Sequence, residues 1–430
     1  MATDPLRGMQ SPIEKPPASE TRTEPFPMGF KEFLALMASL MALNALAIDA
    51  MLPAFPAIGE ALGVARENDR QFIISVYLFG LGIGSIVYGP LADRYGRKPI
   101  ILVALLGYAI FALAGGLAPD FDFLLIARFA QGLFAAAMGV VAIAVIRDRY
   151  VGDAMARLMS LVFIVFMAVP IIAPTLGQMI LYVASWRVIF AVFVILSSGI
   201  AVWVWMRLPE TLATENVIPI ETRAILTTWR QVVFHRNAFG HVLAGGIVMG
   251  SLFGFINSSQ QIFADVFDAV DIFPYAFACV AATMAVSNWF NSRIVEKFGA
   301  RRVSQAALFA FIALSLAQLA AAQLDDEGLP LFLVLIALNM SMVGFTGSNL
   351  GSIAMQPFGR MAGAASSFQM FVRTVSAAAI AAVIGQAFDG SVVPLALGFL
   401  GCGITALLFI LWAENGKLFR RLNAPVAAKA

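Results

Sequence analysis

Histidine is almost absent from this chain, with two residues in 430, and cysteine is as scarce. Cys279 and Cys402 lie in apolar runs without CxxC or Cys/His spacing. That excludes a disulfide framework and a zinc site, and leaves two packed thiols. His235 and His241 stand six residues apart at the start of an apolar run with no carboxylate near them in sequence. They read as interfacial residues, not as metal ligands. Charge is sparse too: 13% of residues are Asp, Glu, Lys or Arg, against about a quarter in soluble domains. A net charge of +2 gives no footprint for nucleic acid. The apolar runs hold no nucleophile–base pair and no His/carboxylate cluster, so nothing supports a membrane-embedded enzyme.

What fills the chain instead is apolar sequence, 60% of residues. It comes in runs of about 20, the length that crosses a bilayer as a helix. Twelve such runs are expected: 30–52, 71–90, 99–118, 123–146, 158–182, 187–207, 238–262, 272–291, 303–322, 330–352, 363–387 and 391–413. The fold class that follows is an all-α membrane protein of twelve transmembrane helices. The long polar interruption after the sixth run divides the chain into residues 29–207, a linker at 208–236, and residues 237–413. Residues 1–28 are rich in Pro, Glu, Ser and Thr and read as a disordered tail. They do not read as a signal peptide, because the first apolar run is too long and no small-residue cleavage site follows. Residues 414–430 form a second tail.

Basic residues set an orientation. Of the 28 Lys and Arg, 23 fall in the tails and loops of one side, and three (Arg66, Arg70, Arg187) fall on the other. The rule that positive loops face inward makes the first side cytoplasmic, with both termini on it. Arg128 and Arg373 remain inside runs.

Between the second and third runs lies Gly89-Pro-Leu-Ala-Asp93-Arg94-Tyr-Gly96-Arg97-Lys98. Gly89-Pro90 reads as a helix end. Asp93 can accept hydrogen bonds from the start of a neighbouring helix, while Arg94 and Arg97 can bridge to acids or helix C-termini. A weaker echo, Ser292-Arg-Ile-Val-Glu296-Lys297-Phe-Gly299-Ala-Arg-Arg302, follows the eighth run, with Gly299 aligned on Gly96. That echo supports two repeated halves. Gly80, Gly84 and Gly89 form a small-residue face on the second run, for which the Ala-rich stretch from Ala377 is a plausible partner.

The stretch 89–98 resembles the signature loop GxLADRxGRK of the major facilitator superfamily. The segment Asp49-Ala-Met-Leu-Pro53-Ala-Phe-Pro56 resembles DMYLPALP of its Bcr/CflA drug-resistance branch. Arg128-Phe-Ala-Gln131-Gly132 resembles the RxxQG motif. Pro170-Ile-Ile-Ala-Pro174-Thr-Leu-Gly177-Gln178 resembles the antiporter motif GPxxGG, with Ala173 and Gln178 departing from it. The resemblance implies two pseudo-symmetric six-helix halves in a bacterial inner membrane, a monomer without cofactor, and a small-molecule substrate moved by alternating access. It also implies that Gly89, Asp93, Arg94, Gly96 and Arg97 act as a conformational latch, and that Pro170, Pro174 and Gly177 bend the fifth helix. Coupling to protons with export follows from the same resemblance. Import of a nutrient by proton symport is the alternative on this fold, and a sensor built on it is a third reading.

Asp49 is the one carboxylate well inside a run, and an ionisable group there is a functional-site hypothesis by default. Arg128 is expected at similar depth, about 8 Å from the same membrane face, so a salt bridge between them is geometrically reasonable. A free aspartate titrates near 3.9. Burial raises that value and a nearby arginine lowers it, so Asp49 is expected to carry the proton and Arg128 to tune it. Arg373 lies about 15 Å deep with no acid at its level in the second half. It is either a structural arginine bonded to carbonyls and amides or an anchor for an anionic or carbonyl-rich substrate. With Asp49 occupied by Arg128, a neutral or anionic solute is favoured. Asn44, Gln131, Asn257, Gln261, Asn339 and Gln369 are the further polar candidates for the substrate cavity.

Overall fold

The computed structural model describes residues 27–420 apart from 151, 218, 219, 221 and 325–327. Nearly all of the expected N-terminal tail, and the last part of the C-terminal one, lie outside the described residues. Twelve helices among the described residues are long and apolar enough to cross a membrane. In chain order they are span 1 (Phe30–Asp49), span 2 (Phe72–Tyr95), span 3 (Arg97–Gly116), span 4 (Phe121–Arg149), span 5 (Gly152–Val183) and span 6 (Arg187–Arg207). Spans 7 to 12 are Arg236–Gln261, Phe273–Phe298, Ala300–Ala321, Leu329–Met355, Ala362–Gln386 and Val393–Ala413. A helix keeps its backbone hydrogen bonds within itself, which hydrocarbon surroundings demand. Span 3 shows the outward consequence: Val103, Leu106, Ile110 and Leu113 are exposed along one stripe, where lipid covers them.

Several helices outrun their apolar lengths. Spans 2, 4, 5, 8 and 10 extend by several residues toward the basic end, since hydropathy registers only the hydrocarbon-crossing part. Gly89-Pro90 therefore does not end span 2, contrary to the reading above. The helix runs through Pro90 to Tyr95, because a proline removes one ladder bond and bends a helix that its neighbours hold in place. Gly96 makes the true stop, at φ 98°, ψ 156°, and Gly299 repeats it at φ 88°, ψ 145°. These left-handed values favour glycine. The two halves thus turn the same corner at the positions that the echo aligned.

Small residues fix the packing inside the first half. A Cβ at Gly80 would run into the Phe129 carbonyl, and one at Gly132 into the Tyr77 carbonyl, so spans 2 and 4 touch backbone to backbone. Gly84 meets Leu133 and Ala136 of span 4. The expected pairing of this face with span 11 holds only for Gly89, beside Ser367. Gly82, on the other side of the helix, meets Val375. The face is split because a helix of 3.6 residues per turn puts Gly80 and Gly84 on one stripe and carries Gly89 away from it. The halves meet through spans 2 with 11 and 5 with 8. Within the linker a helix, Thr222–Phe234, lies against span 11, its Trp229 stacked on Phe368 at 5.6 Å.

Candidate functional site: a cavity between the halves

At the basic end a cavity of about 560 Å³ opens between the halves. Span 2 contributes Gly89, Pro90 and Asp93, span 4 contributes Val140, Val141 and Ala144, and span 11 contributes Gly363, Ser367 and Met370. Ile225 and Thr228 of the linker helix stand at its edge.

The opposite end is closed by amides. Gln71 at the start of span 2 donates to Gln261 at the end of span 7. Gln261 in turn donates to Asn68 (3.0 Å), and Asn257 donates to Ser75 (2.9 Å). Asn68 donates to the carbonyls of Gln386 (3.2 Å) and Phe388 (2.8 Å), and its own carbonyl accepts from the Gln386 side chain at 2.8 Å. Asn257 and Gln261, expected to line the cavity, form this closure instead. Asn68, Gln71, Ser75 and Gln386 were not singled out from the sequence. Their signal was present: polar residues four apart on an apolar helix, Gln71/Ser75 and Asn257/Gln261, mark matching stripes at two helix ends. If this closure must open during the cycle, Ser75→Cys/Asn257→Cys joined by a short bis-methanethiosulfonate reagent should lower transport at least tenfold, with recovery on reduction.

The stretch after span 2 is tied down within the first half. Arg97 bridges Asp93 (2.5 Å) and Asp148 at the end of span 4 (3.0 Å). Glu210, beyond span 6, accepts from the backbone N–H groups of Arg97 (2.9 Å) and Lys98 (3.1 Å), capping span 3. The acceptor at the helix start is therefore Glu210. Asp93 instead pairs one turn along with Arg97 and faces the cavity. Arg94 is exposed. The second half has its own version: Glu414, beyond span 12, accepts from Arg301 at 2.7 Å, with His241 at 3.5 Å. His241 is thus buried against a carboxylate, not interfacial; chain folding brings Glu414 from 173 positions away. His235 caps span 7, accepting from the Ala238 N–H at 3.2 Å. Cys279 is exposed and Cys402 buried, so only one of the two thiols is packed inside.

Asp49 is the last residue of span 1 and is 3% exposed, with Oδ1 hydrogen-bonded to nothing. It does not pair with Arg128. That guanidinium, fully buried, donates to the carbonyl of Ala47 (2.8 Å), the carbonyl of Ile73 (3.3 Å) and Gln131 Oε1 (2.7 Å), and it lies 4.3 Å from the centre of the Tyr77 ring. Three of its donors go to spans 1, 2 and 4, so equal depth did not bring the two charges together. Gly177 of span 5 presses on the carbonyl of Ala50, next to Asp49. Pro170 and Pro174 stand within the same unbroken helix.

Three further candidates are absorbed by packing. Asn44 donates to the Ala135 carbonyl (3.3 Å) and accepts from Tyr77 (3.0 Å). Gln131 holds Arg128, and Asn339 bonds Leu335 (3.1 Å) and Ser315 (3.3 Å). Buried polar groups in lipid-embedded helices find such partners readily. Gln369 and Arg373 of span 11 remain less engaged.

This architecture and the matching loops define a class. The chain belongs to the Major Facilitator Superfamily, whose family model matches residues 37–382, and it is a multi-pass membrane transporter. It is 29% identical over 392 residues to the bicyclomycin resistance protein homolog of Haemophilus influenzae, covering 90% of this chain and 97% of that one. It is 27% identical over 280 residues to the chloramphenicol resistance protein of Pseudomonas aeruginosa, covering 65% of each. Its fold matches a D-xylose–proton symporter with a TM-score of 0.70 at 13% identity, over 90% of this chain and 99% of that one.

Proposed function

We propose that this chain exports a small drug-like or metabolite solute across the bacterial inner membrane in exchange for protons, by alternating access, with both termini cytoplasmic. The observation that carries the reading is Asp49: a buried carboxyl with an unpartnered oxygen at the end of span 1, against the Pro/Gly-bearing span 5. The cost of charging such a group depends on the water and partners its site admits. Rearrangement of spans 1 and 5 would therefore alter its grip on a proton. The kinship with proteins named for bicyclomycin and chloramphenicol resistance supports drug-like cargo and outward direction.

The asymmetry of the two ends fits one state of the cycle, open on the basic side and closed by amides on the other. In the opposite state the cavity side would close, bringing Asp93 toward the start of span 11 at Gly363. The Asp93–Arg97–Asp148 bridges would then be the latch that weighs one state against the other.

Inside-out vesicles containing the protein test the direction. With an acid lumen, labelled chloramphenicol or bicyclomycin should accumulate inside. Expulsion under the same gradient would indicate symport and overturn the export reading.

A further inference from the structure

Arg128, Arg301 and Arg373, all lodged among the helices, can be compared by what their donors meet. Arg128 has three hydrogen bonds and an aromatic face. Arg301 donates to Glu414, Gln356 and Asn237. Arg373, in the middle of span 11, has five N–H donors like the others. It makes one long bond, from Nη2 to the Gly347 carbonyl at 3.4 Å, while its buried Nε has no partner. No carboxylate among the described residues forms an ion pair with it.

Glycines of spans 7 and 10 make room for this guanidinium, which packs close to their backbones. A Cβ at Gly351 would lie 2.9 Å from Nη1, one at Gly245 3.3 Å from Nε, and one at Gly347 3.9 Å from Nη2. Beside it, Gln369 donates to the Gly351 carbonyl at 3.3 Å. Arg373 keeps partial exposure. Ser366 and Met370 lie seven and three residues before it on the same side of span 11, and both line the cavity. Arg373 thus lies about one turn further along span 11 than the cavity-lining Met370.

We infer that Arg373 is the head-group site for an organic anion, specifically the carboxylate of an amphipathic organic acid. Its apolar body would lie along Val140, Val141, Ala144 and Met370. A planar guanidinium matches a carboxylate with two parallel hydrogen bonds, and in a low-dielectric site such charge-assisted bonds are strong. The inference rests on the transporter reading of the same cavity and adds the class of substrate. Moving an anion out while a proton enters carries two charges in the same electrical direction.

The test uses the full chain in nanodiscs, without any gradient. 4-Phenylbutyrate and 2-naphthylacetate are titrated against their neutral amides, and binding is read by thermal shift. Wild type should bind the acids at least tenfold more tightly than the amides. Arg373→Gln should erase that ratio, and Arg373→Lys, which keeps the charge without the planar fork, should retain part of it. Equal binding of acids and amides by wild type, failure of any acid to bind, or an undiminished ratio in Arg373→Gln would each overturn the inference. Arg373→Lys guards against simple misfolding. Because proton gradients play no part, a negative result here and a failure of proton coupling are separate findings.

Discussion

Asp49→Asn should abolish uphill accumulation in energised vesicles while leaving downhill solute exchange in place. One proton entering per neutral solute exported supplies about 2.3 kcal/mol per 100 mV and about 1.4 kcal/mol per pH unit. A tenfold concentration ratio costs about 1.4 kcal/mol. At 100 mV and one pH unit, wild type could therefore sustain a gradient on the order of several-hundred-fold. Asparagine has nearly the same shape and cannot load a proton, so its ratio should fall to about one. Its exchange of labelled for unlabelled solute should persist, and should lose its dependence on pH. A variant that still concentrates solute like wild type would remove Asp49 from the coupling and leave the architecture untouched.

Arg128→Ala should fail differently, through stability. Its guanidinium joins carbonyls of spans 1 and 2 to its own helix, at the place where glycines bring spans 2 and 4 into backbone contact. Truncation strands two buried carbonyls and Gln131 Oε1. Each unsatisfied group costs about 1–3 kcal/mol, giving a loss of about 3 kcal/mol or more. Thermal unfolding of the purified protein should show it, along with reduced yield. Lysine should rescue little, since one ammonium cannot reproduce a fork spread over three acceptors. If Arg128→Ala instead kept wild-type stability and shifted only the pH profile of transport, Arg128 would belong with the proton site after all.

These two outcomes mark where sequence reading stopped. Both residues were singled out as intramembrane charges, but the bond expected between them does not form. Arg128 binds main-chain carbonyls, which every residue possesses, so no side-chain pattern announces them. The amide closure illustrates the same difficulty over longer range. Asn68, Gln261 and Gln386 come from segments far apart in the chain, and their meeting depends on how the halves lean. Asn44 and Asn339 looked like cavity polars, yet each is consumed by a neighbouring helix.

The number of spans, their grouping into sixes, the basic side and the alignment of Gly299 on Gly96 were all readable from the chain alone, whereas the helix end expected at Gly89-Pro90 moved to Gly96. Each depends on local quantities: apolar length, charge counts in short loops, and a repeated stretch of sequence. Which charges pair, which end is shut and which arginine is left with free donors were decided only by tertiary packing. Those outcomes turn on distances of a few ångströms between helices, where a single backbone carbonyl can take the place of an expected acid.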